Sequence, residues 1–317
     1  MSPKRGSPLG GARAHAPGSV GNIGPGLDIM GMALAGPGDS VEVRLSHTPG
    51  VVVQDSGHPD LPKDAGANTA AFAAQAALRL AGRADLGIVL SITKGLPLSG
   101  GQGGSAASAV AGAVATNAAG NLGLSEQQLL GAALAAEASV AGWHLDNIMP
   151  SLLGGIVLIR DAQAWDYVRL PVPDGLRVVL ALPGHQLRTA DSRAVLPREI
   201  PRDVALYQAA QVGAMVLAFA RNDLALLRRA LDDRIAEPAR APLLPGFLAA
   251  KQAAMAAGAL GCSISGSGPT AFAFAESDAA GERIGVAMQR AYQAAGQTCT
   301  VRVTGVSLTG ATVERLS

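Results

Sequence analysis

The chain has 317 residues, 49% of them hydrophobic and 15% charged, with 40 glycines, 19 prolines and a formal net charge of +1. That length favours two domains, and the composition describes a compact, loop-rich globular protein rather than a disordered or fibrous one. The small charge supplies no field for DNA or an anionic membrane. With aromatic residues at 3%, a stacking surface for single-stranded nucleic acid is disfavoured, so the expected partners are small molecules.

The first residues, "MSPKRGSPLGGARAHAPG", are basic but lack the apolar segment of a secretory signal, and they read as an untargeted, flexible tail over residues 1–12. No uninterrupted apolar run looks long enough to span a membrane. "SVEVRLSH" and "GVVVQD" alternate or run β-branched as strands do, and "LGIVLSITK" reads as another strand, ending at Lys94. Three alanine-rich helices follow from "NTAAFAAQAALRLAG", "SAASAVAGAVATNAAG" and "SEQQLLGAALAAEAS", the last capped by Ser125 with Glu126 in its first turn. "LLGGIVLIRD" is again a strand, and "WDYVRLPVPDGLRVVLALPG" gives two strands around a turn. The domain change is placed near residue 160, giving a first domain over 13–160 and a second over 161–317. The second domain then reads as helices at "DVALYQAAQVGAMVLAFARND", "LALLRRALDD" and "GFLAAKQAAMAAGAL", strand "TAFAFAE", helix "AGERIGVAMQRAYQAAG" and strand "CTVRVTGVSL". The fold class is therefore α+β. Cys262 and Cys299 form no CxxC pair and have no close histidine partners, so neither a disulfide framework nor a zinc site is suggested, and a reducing cytoplasm fits.

The stretch "PLSGGQGGSAASAV" at 97–110 sets glycines and serines between a strand and a helix, as an anion cradle requires: glycine lets backbone N–H groups approach a ligand, and the helix N-terminus carries partial positive charge. Gly101, Gly103 and Ala106 satisfy a G-x-G-x-x-A dinucleotide pattern, but the following region "TNAAGNLGLSEQQ" offers no strand ending in an acid. A Walker loop fails as well, because no Gly-Lys-Ser/Thr follows the glycines and Lys94 precedes them. Another kind of phosphate loop and a plain strand-to-helix turn both stay open on these residues alone.

Three segments, "APGSVGNIGPGLDIMGMAL", "PLSGGQGGSAASAV" and "GCSISGSGPTAFAF", resemble in order and spacing the three motifs of the galactokinase, homoserine kinase, mevalonate kinase and phosphomevalonate kinase (GHMP) superfamily. The first is similar to the homoserine kinase pattern P-A-S-x-A-N-L-G-P-G-F-D-x-x-G, with Pro17, Gly18, Ser19, Asn22, Gly24, Pro25, Gly26, Asp28 and Gly31 in register. "HLDNIMPSLLGG", "RTADSRAVLP" and "EPARAPLLPGF" extend the resemblance over most of the chain. It implies a ribosomal protein S5 domain 2-like N-terminal domain that binds ATP, and a ferredoxin-like C-terminal domain. It also implies phosphorylation of the side-chain hydroxyl of L-homoserine in threonine biosynthesis, with Mg²⁺ required; a homodimer is the general default for a soluble enzyme.

The resemblance places ATP on Asn68, Lys94, Pro97, Ser99, Gly100, Gly101, Gln102, Gly103, Gly104, Ser105 and Ala106, with Ser265, Gly266 and Gly268 of the last glycine loop in support. It places Mg²⁺ on Ser105 and Glu137, hard oxygen ligands that suit this ion. The amino-acid acceptor falls to Asn22, Asp28, His144, Asp146, Asn147, Thr189, Arg193 and Arg240. Asp28 and Asn147 stand nearest the chemistry, and Asp28 is the candidate to accept the hydroxyl proton if any residue does so; loss of the proton late through a phosphate oxygen stays open. Paired arginines suit a carboxylate because the guanidinium fork bonds it bidentately. Two departures stand out: Gln102 and Gly104 replace the family's leucine and first serine, and "EASVAGWHLDN" is one residue shorter than usual between Glu137 and His144. Taken singly, Asn68 is also an ordinary helix cap, Lys94 an ordinary strand end, and Glu137 an ordinary surface acid. Other readings are a mevalonate or diphosphocytidyl-methylerythritol kinase of the same superfamily, or a catalytically weak nucleotide- or amino-acid-binding relative.

Overall fold

The computed structural model describes residues 10–138 and 142–317. Its first sheet is built around a bent 17-residue strand β2 (Met30–Ser46). One half of β2 pairs with β4 (Gly87–Thr93) and the other with β5 (Ile156–Asp161), while β1 (Gly11–Gly21) runs antiparallel along it. β3 (Gly50–Asp55) adds parallel to β4, β6 (Asp166–Leu170) pairs with β5, and β11 (Thr312–Leu316) returns from the C-terminus to pair with β1. Gly11 and Ala12 are thus already strand, inside the segment read as a tail. β6 and β11, both beyond residue 160, belong to the first sheet: the expected boundary divides the chain there but not the sheets.

Helices α1 (Thr69–Leu80), α2 (Gly104–Ala119), α3 (Glu126–Ala138) and the short α4 (Ile148–Leu153) cover this sheet. Their buried residues are mostly alanine, so neighbouring helix axes approach closely and a core forms with few large side chains. Ser125 caps α3 as expected: its Oγ accepts from the Gln128 N–H at 3.2 Å, and Gln128 Oε1 accepts from the Ser125 N–H at 2.9 Å, a reciprocal capping box.

The second sheet is antiparallel in the order β10 (Cys299–Thr304), β7 (Arg177–Pro183), β9 (Ala271–Ala275), β8 (Gly261–Ile264). That order, with α10 (Asp278–Ala294) between β9 and β10, is the ferredoxin-like βαββαβ arrangement. Its first crossover is expanded into α5 (Thr189–Ala194), α6 (Arg202–Arg221), α7 (Leu224–Ala230), α8 (Ala236–Arg240) and α9 (Phe247–Ala256). One core lies between α9, α10 and the sheet, and another joins the second sheet to β1, β2 and α6, where Phe219, Phe272 and Phe274 meet edge to face. At 20 residues α6 is long and apolar enough, by length and composition, to cross a membrane. Here Met215, Ala218 and Phe219 instead face the inter-sheet core, and Gln208 donates to Pro25 O and Asp233.

Candidate active site

A cavity of about 620 Å³ opens between the two halves, lined by the 97–105 loop, the α1 start, His144 to Asn147, and the α5 region. At one end, α2 begins behind the glycine loop with no acidic residue in its own first turn, so its positive end faces the cavity with no acid of that helix to offset it. Gly101 and Gly103 both have left-handed backbones, with φ of 69° and 67°. At Gly101 a Cβ would also come within 2.7 Å of the Gly268 carbonyl, so the loop's shape requires glycine there. The loop is braced from outside: Ser19 N–H donates to Gln102 O at 3.1 Å, Ser265 Oγ to Gly101 O at 2.6 Å, and Thr270 Oγ1 to Gly100 O.

Ser105 Oγ donates to Glu137 Oε1 at 2.9 Å, and Glu137 Oε2 is buried without a hydrogen-bond partner. Glu137 is therefore no surface acid. Burial pushes its carboxyl up to about 7, with Ser105 opposing and Asp146 adding to the shift. Lys94 is not a solvated strand end either. Its ammonium pairs with the fully buried Asp39 and also reaches Ser108 Oγ at 3.0 Å and Gly104 O at 3.2 Å. Asp39 further accepts from the N–H groups of Gly95 and Leu96 and from Ser108 Oγ, so one carboxylate organises the entry to the loop. Nothing local in "GPGDSVEV" distinguishes it from a strand-edge acid.

At the other end of the cavity the acceptor residues meet. Arg193 grips Asp28 with both terminal nitrogens, at 2.8 and 3.3 Å, and His144 Nδ1 lies 3.2 Å from the same carboxylate. Burial raises the Asp28 pKa, but those hydrogen bonds and charges outweigh it and hold the carboxyl well below the usual carboxylate range. A carboxylate held so low is a poor base. Asp146, nearly sealed from solvent, is pushed up by burial and by the charge of Asp28, and it accepts from the Asn22 N–H and from Asn147 Nδ2. Asn147 Oδ1 accepts from Ser19 Oγ at 3.0 Å. Arg240, 1% exposed, spends donors on the carbonyls of Ser192 and Gly266, while Thr189 Oγ1 sits 3.3 Å from Ser267 Oγ.

Most of the residues expected here line the one cavity, but several are already committed. Asn68 caps α1, accepting from Ala70 and Ala71 N–H while donating to Pro62 O, so its amide is largely used as it reaches the cavity. Asn22 is a brace: with φ of 70° it accepts from Asp28 N–H and donates to Gly266 O. Asp28, Gln102, Ala106, Ser265 and Gly268 stand behind the cavity wall rather than on it, Asp28 reaching it through its contacts with Arg193 and His144. Ala106 is packed in the α2 core, and Gln102 turns toward Thr270 and Arg302. The shortened segment before His144 includes residues 139–141, which lie outside the described residues. The described residues contain no cluster of three His, Cys, Asp or Glu side chains able to hold a metal by itself.

Comparison with known proteins agrees with this architecture. The family models described as GHMP kinases N terminal domain and GHMP kinases C terminal match residues 68–155 and 215–294. A homoserine kinase of Chlorobium phaeobacteroides (strain DSM 266 / SMG 266 / 2430) is 41% identical over 293 residues, covering 88% of this chain and 91% of that protein. The Arabidopsis thaliana homoserine kinase is 41% identical over 303 residues, covering 91% and 80%. The crystal structure of homoserine kinase from Cytophaga hutchinsonii superimposes with a TM-score of 0.91 at 38% identity, covering 99% of this chain and 100% of that one. By sequence, by both domains and by the whole-chain fold, the chain belongs to the homoserine kinase family of the GHMP kinases.

Proposed function

We propose that the chain transfers the γ-phosphoryl group of ATP to the side-chain hydroxyl of L-homoserine, giving O-phospho-L-homoserine and ADP on the way to threonine. The observation that carries this reading is a single cavity that is lined both by an anion cradle and by Arg193, whose guanidinium is paired with Asp28 beside the cavity. The cradle, made of the loop N–H groups and the α2 N-terminus, suits a triphosphate. The ion pair suits a zwitterion: Arg193, with Arg240 behind it, takes the carboxylate, and Asp28 takes the ammonium. His144, Asp146 and Asn147 line the same cavity, and on this reading they surround the hydroxyl where it meets the γ-phosphorus.

Phosphoryl transfer asks mainly for alignment and charge neutralisation. The depressed Asp28 carboxyl argues against the general-base role expected from the sequence. We infer that it positions the ammonium, that Asn147 orients the hydroxyl, and that the proton leaves late through a phosphate oxygen. The partnerless Glu137 Oε2 beside Ser105 Oγ fits a hard divalent cation whose remaining ligands are phosphate oxygens and water, so these two residues would hold Mg²⁺. That ion supplies neutralisation of phosphate charge when bound.

The test is a coupled ADP-release assay with ATP, Mg²⁺ and L-homoserine, mevalonate, galactose or L-serine. Turnover with homoserine far above the others is expected; equal turnover with mevalonate would sink the assignment. A soluble cytoplasmic enzyme working on small molecules, as a monomer or homodimer, follows from the same reading.

A further inference from the structure

The family's leucine in the phosphate loop is Gln102 here, and its side chain does not point at the phosphate side. It is 7% exposed and lies between Thr270, in the glycine loop before β9, and Arg302, on β10. Arg302 Nη2 is 3.2 Å from Gln102 Oε1, Gln102 Nε2 is 3.4 Å from Thr270 Oγ1, and Thr270 Oγ1 bonds Gly100 O. The direction of this chain is fixed by chemistry. A guanidinium only donates, so the amide oxygen must face Arg302 and the amide nitrogen Thr270; the threonine hydroxyl, having accepted, sends its hydrogen to the Gly100 carbonyl.

Three further facts give the chain a purpose. Arg302 has no carboxylate partner among the described residues; its other acceptor is the Ala35 carbonyl at 3.3 Å. Burial lowers its pKa with no neighbouring charge to offset the loss of solvent. The loop is also not fully packed there: Pro97 to Gly100 and Gln102 face a second cavity of about 730 Å³, which Leu180, Leu182 and Arg302 also line. Polar bonds, rather than a filled core, hold the loop at that point. A carbonyl that accepts a bond from a cation-terminated chain polarises its peptide, and the N–H of that peptide, on Gly101, becomes a stronger donor.

We propose that Arg302, Gln102 and Thr270 form a hydrogen-bond relay that positions the Gly100–Gly101 peptide for nucleotide phosphate, coupling the phosphate loop of the first domain to β10 of the second. Arg302 and Gln102 are positioning residues. The relay also explains how the loop tolerates glycine at 104 in place of a serine: rigidity lost in front is restored from behind. This rests on the loop being the nucleotide site, so the experiment reads nucleotide binding apart from homoserine turnover.

ADP affinity is measured by calorimetry on the full chain for wild type, Gln102→Leu, Gln102→Glu, Arg302→Lys, Arg302→Met and the Gln102→Leu/Arg302→Met pair, with KM for ATP and for homoserine alongside. Gln102→Leu and Arg302→Met should each weaken ADP binding and raise the ATP KM by about 3- to 10-fold, the span expected for one net hydrogen bond, with the homoserine KM within about twofold. Arg302→Lys should recover part of the loss. Gln102→Glu keeps the Arg302 contact but cannot donate to Thr270, so it should not recover wild-type affinity. The double variant should be no worse than the poorer single, the signature of one coupled unit. Unchanged ADP affinity in Gln102→Leu, parallel changes in both KM values, or losses that multiply in the double variant would overturn the relay. Should Arg302→Met fail to fold, Gln102→Leu and Arg302→Lys, judged against their unfolding midpoints, decide alone. A wild-type chain that binds no ADP would instead overturn the nucleotide site, and the relay with it.

Discussion

The Asp39–Lys94 pair beneath the phosphate loop makes an asymmetric prediction about stability. Asp39 is fully buried and Lys94 nearly so, and their bonding is unequal. Asp39 Oδ1 accepts from Gly95 and Leu96 N–H, and its Oδ2 accepts from Lys94 and Ser108. Lys94 has the Gly104 carbonyl and the Ser108 hydroxyl besides Asp39. In Asp39→Asn the amide oxygen keeps the two backbone donors and the amide NH₂ then faces the ammonium, donor against cation. Breaking a buried pair in this way costs roughly 3–5 kcal/mol. In Lys94→Met the carboxylate keeps its three other donors, and the loss should be about 1–3 kcal/mol. Lys94→Met added to Asp39→Asn removes the stranded cation and should restore part of the stability lost. Urea unfolding followed by circular dichroism, with midpoints and slopes compared across the three variants, reads the difference. A loss for Lys94→Met as large as that for Asp39→Asn, or a double variant worse than Asp39→Asn, would refute the bonding argument.

The ligand-free Glu137 carboxyl, raised from 4.5 to about 7, keeps a proton that the unfolded chain has already released. Its contribution to stability is therefore present below pH 4.5 and is lost as pH rises to 7, by about 3 kcal/mol; Glu137→Gln should match wild type near pH 4.5 and exceed it by that amount at pH 8 in chelator, and a pH-independent difference counts against the shift. For Arg193→Ala, kcat/KM for homoserine should fall by about 2–4 kcal/mol of transition-state stabilisation. The corresponding amino alcohol should barely distinguish the two enzymes, and zero coupling in that cycle would remove Arg193 from the carboxylate. Gly103→Ala forces a side chain into a backbone of φ 67° and against Ser19; nucleotide affinity should drop roughly tenfold or more with far-ultraviolet dichroism unchanged, and a normal affinity would show that the loop shape does not matter.

What the sequence shows and hides follows physical lines. Long apolar-periodic elements were legible because their signal is local: α1, α2, α3, α6, α10, β4 and β7 lie where their patterns predict. β1 was not, although "ARAHA" alternates. Alanine is a weak strand former, and what holds this segment is its pairing with β2 and β11, one of them at the far end of the chain. The short helices α4, α5 and α8 are likewise fixed by tertiary contacts and carry little periodicity. In the site, motif residues were readable as types, but which atoms were free was not. Asn22 and Asn68 proved to be braces and caps as much as cavity walls, and Asp39, Thr270 and Arg302 gave no local signal because the side-chain partners that define them lie 55 or more residues away.

The charge arrangement of the acceptor end bears on selectivity. Without substrate, Arg193 on the cavity wall and Asp28 beside it neutralise each other. On the proposed reading, homoserine brings one carboxylate and one ammonium, and each replaces half of that internal pair, so no charge is left without a partner after water is expelled. An acid without an ammonium, such as mevalonate, would take Arg193 and leave Asp28 with His144 alone, its other partner gone from a partly buried position. An amine without a carboxylate would strand Arg193, whose Nε is already buried without a partner. Leaving one member of a buried pair unmatched costs several times what a surface charge does, so the penalty against either half-matched ligand is built into the empty site. Selection for a zwitterion therefore requires no contact beyond the pair that the folded chain already forms with itself.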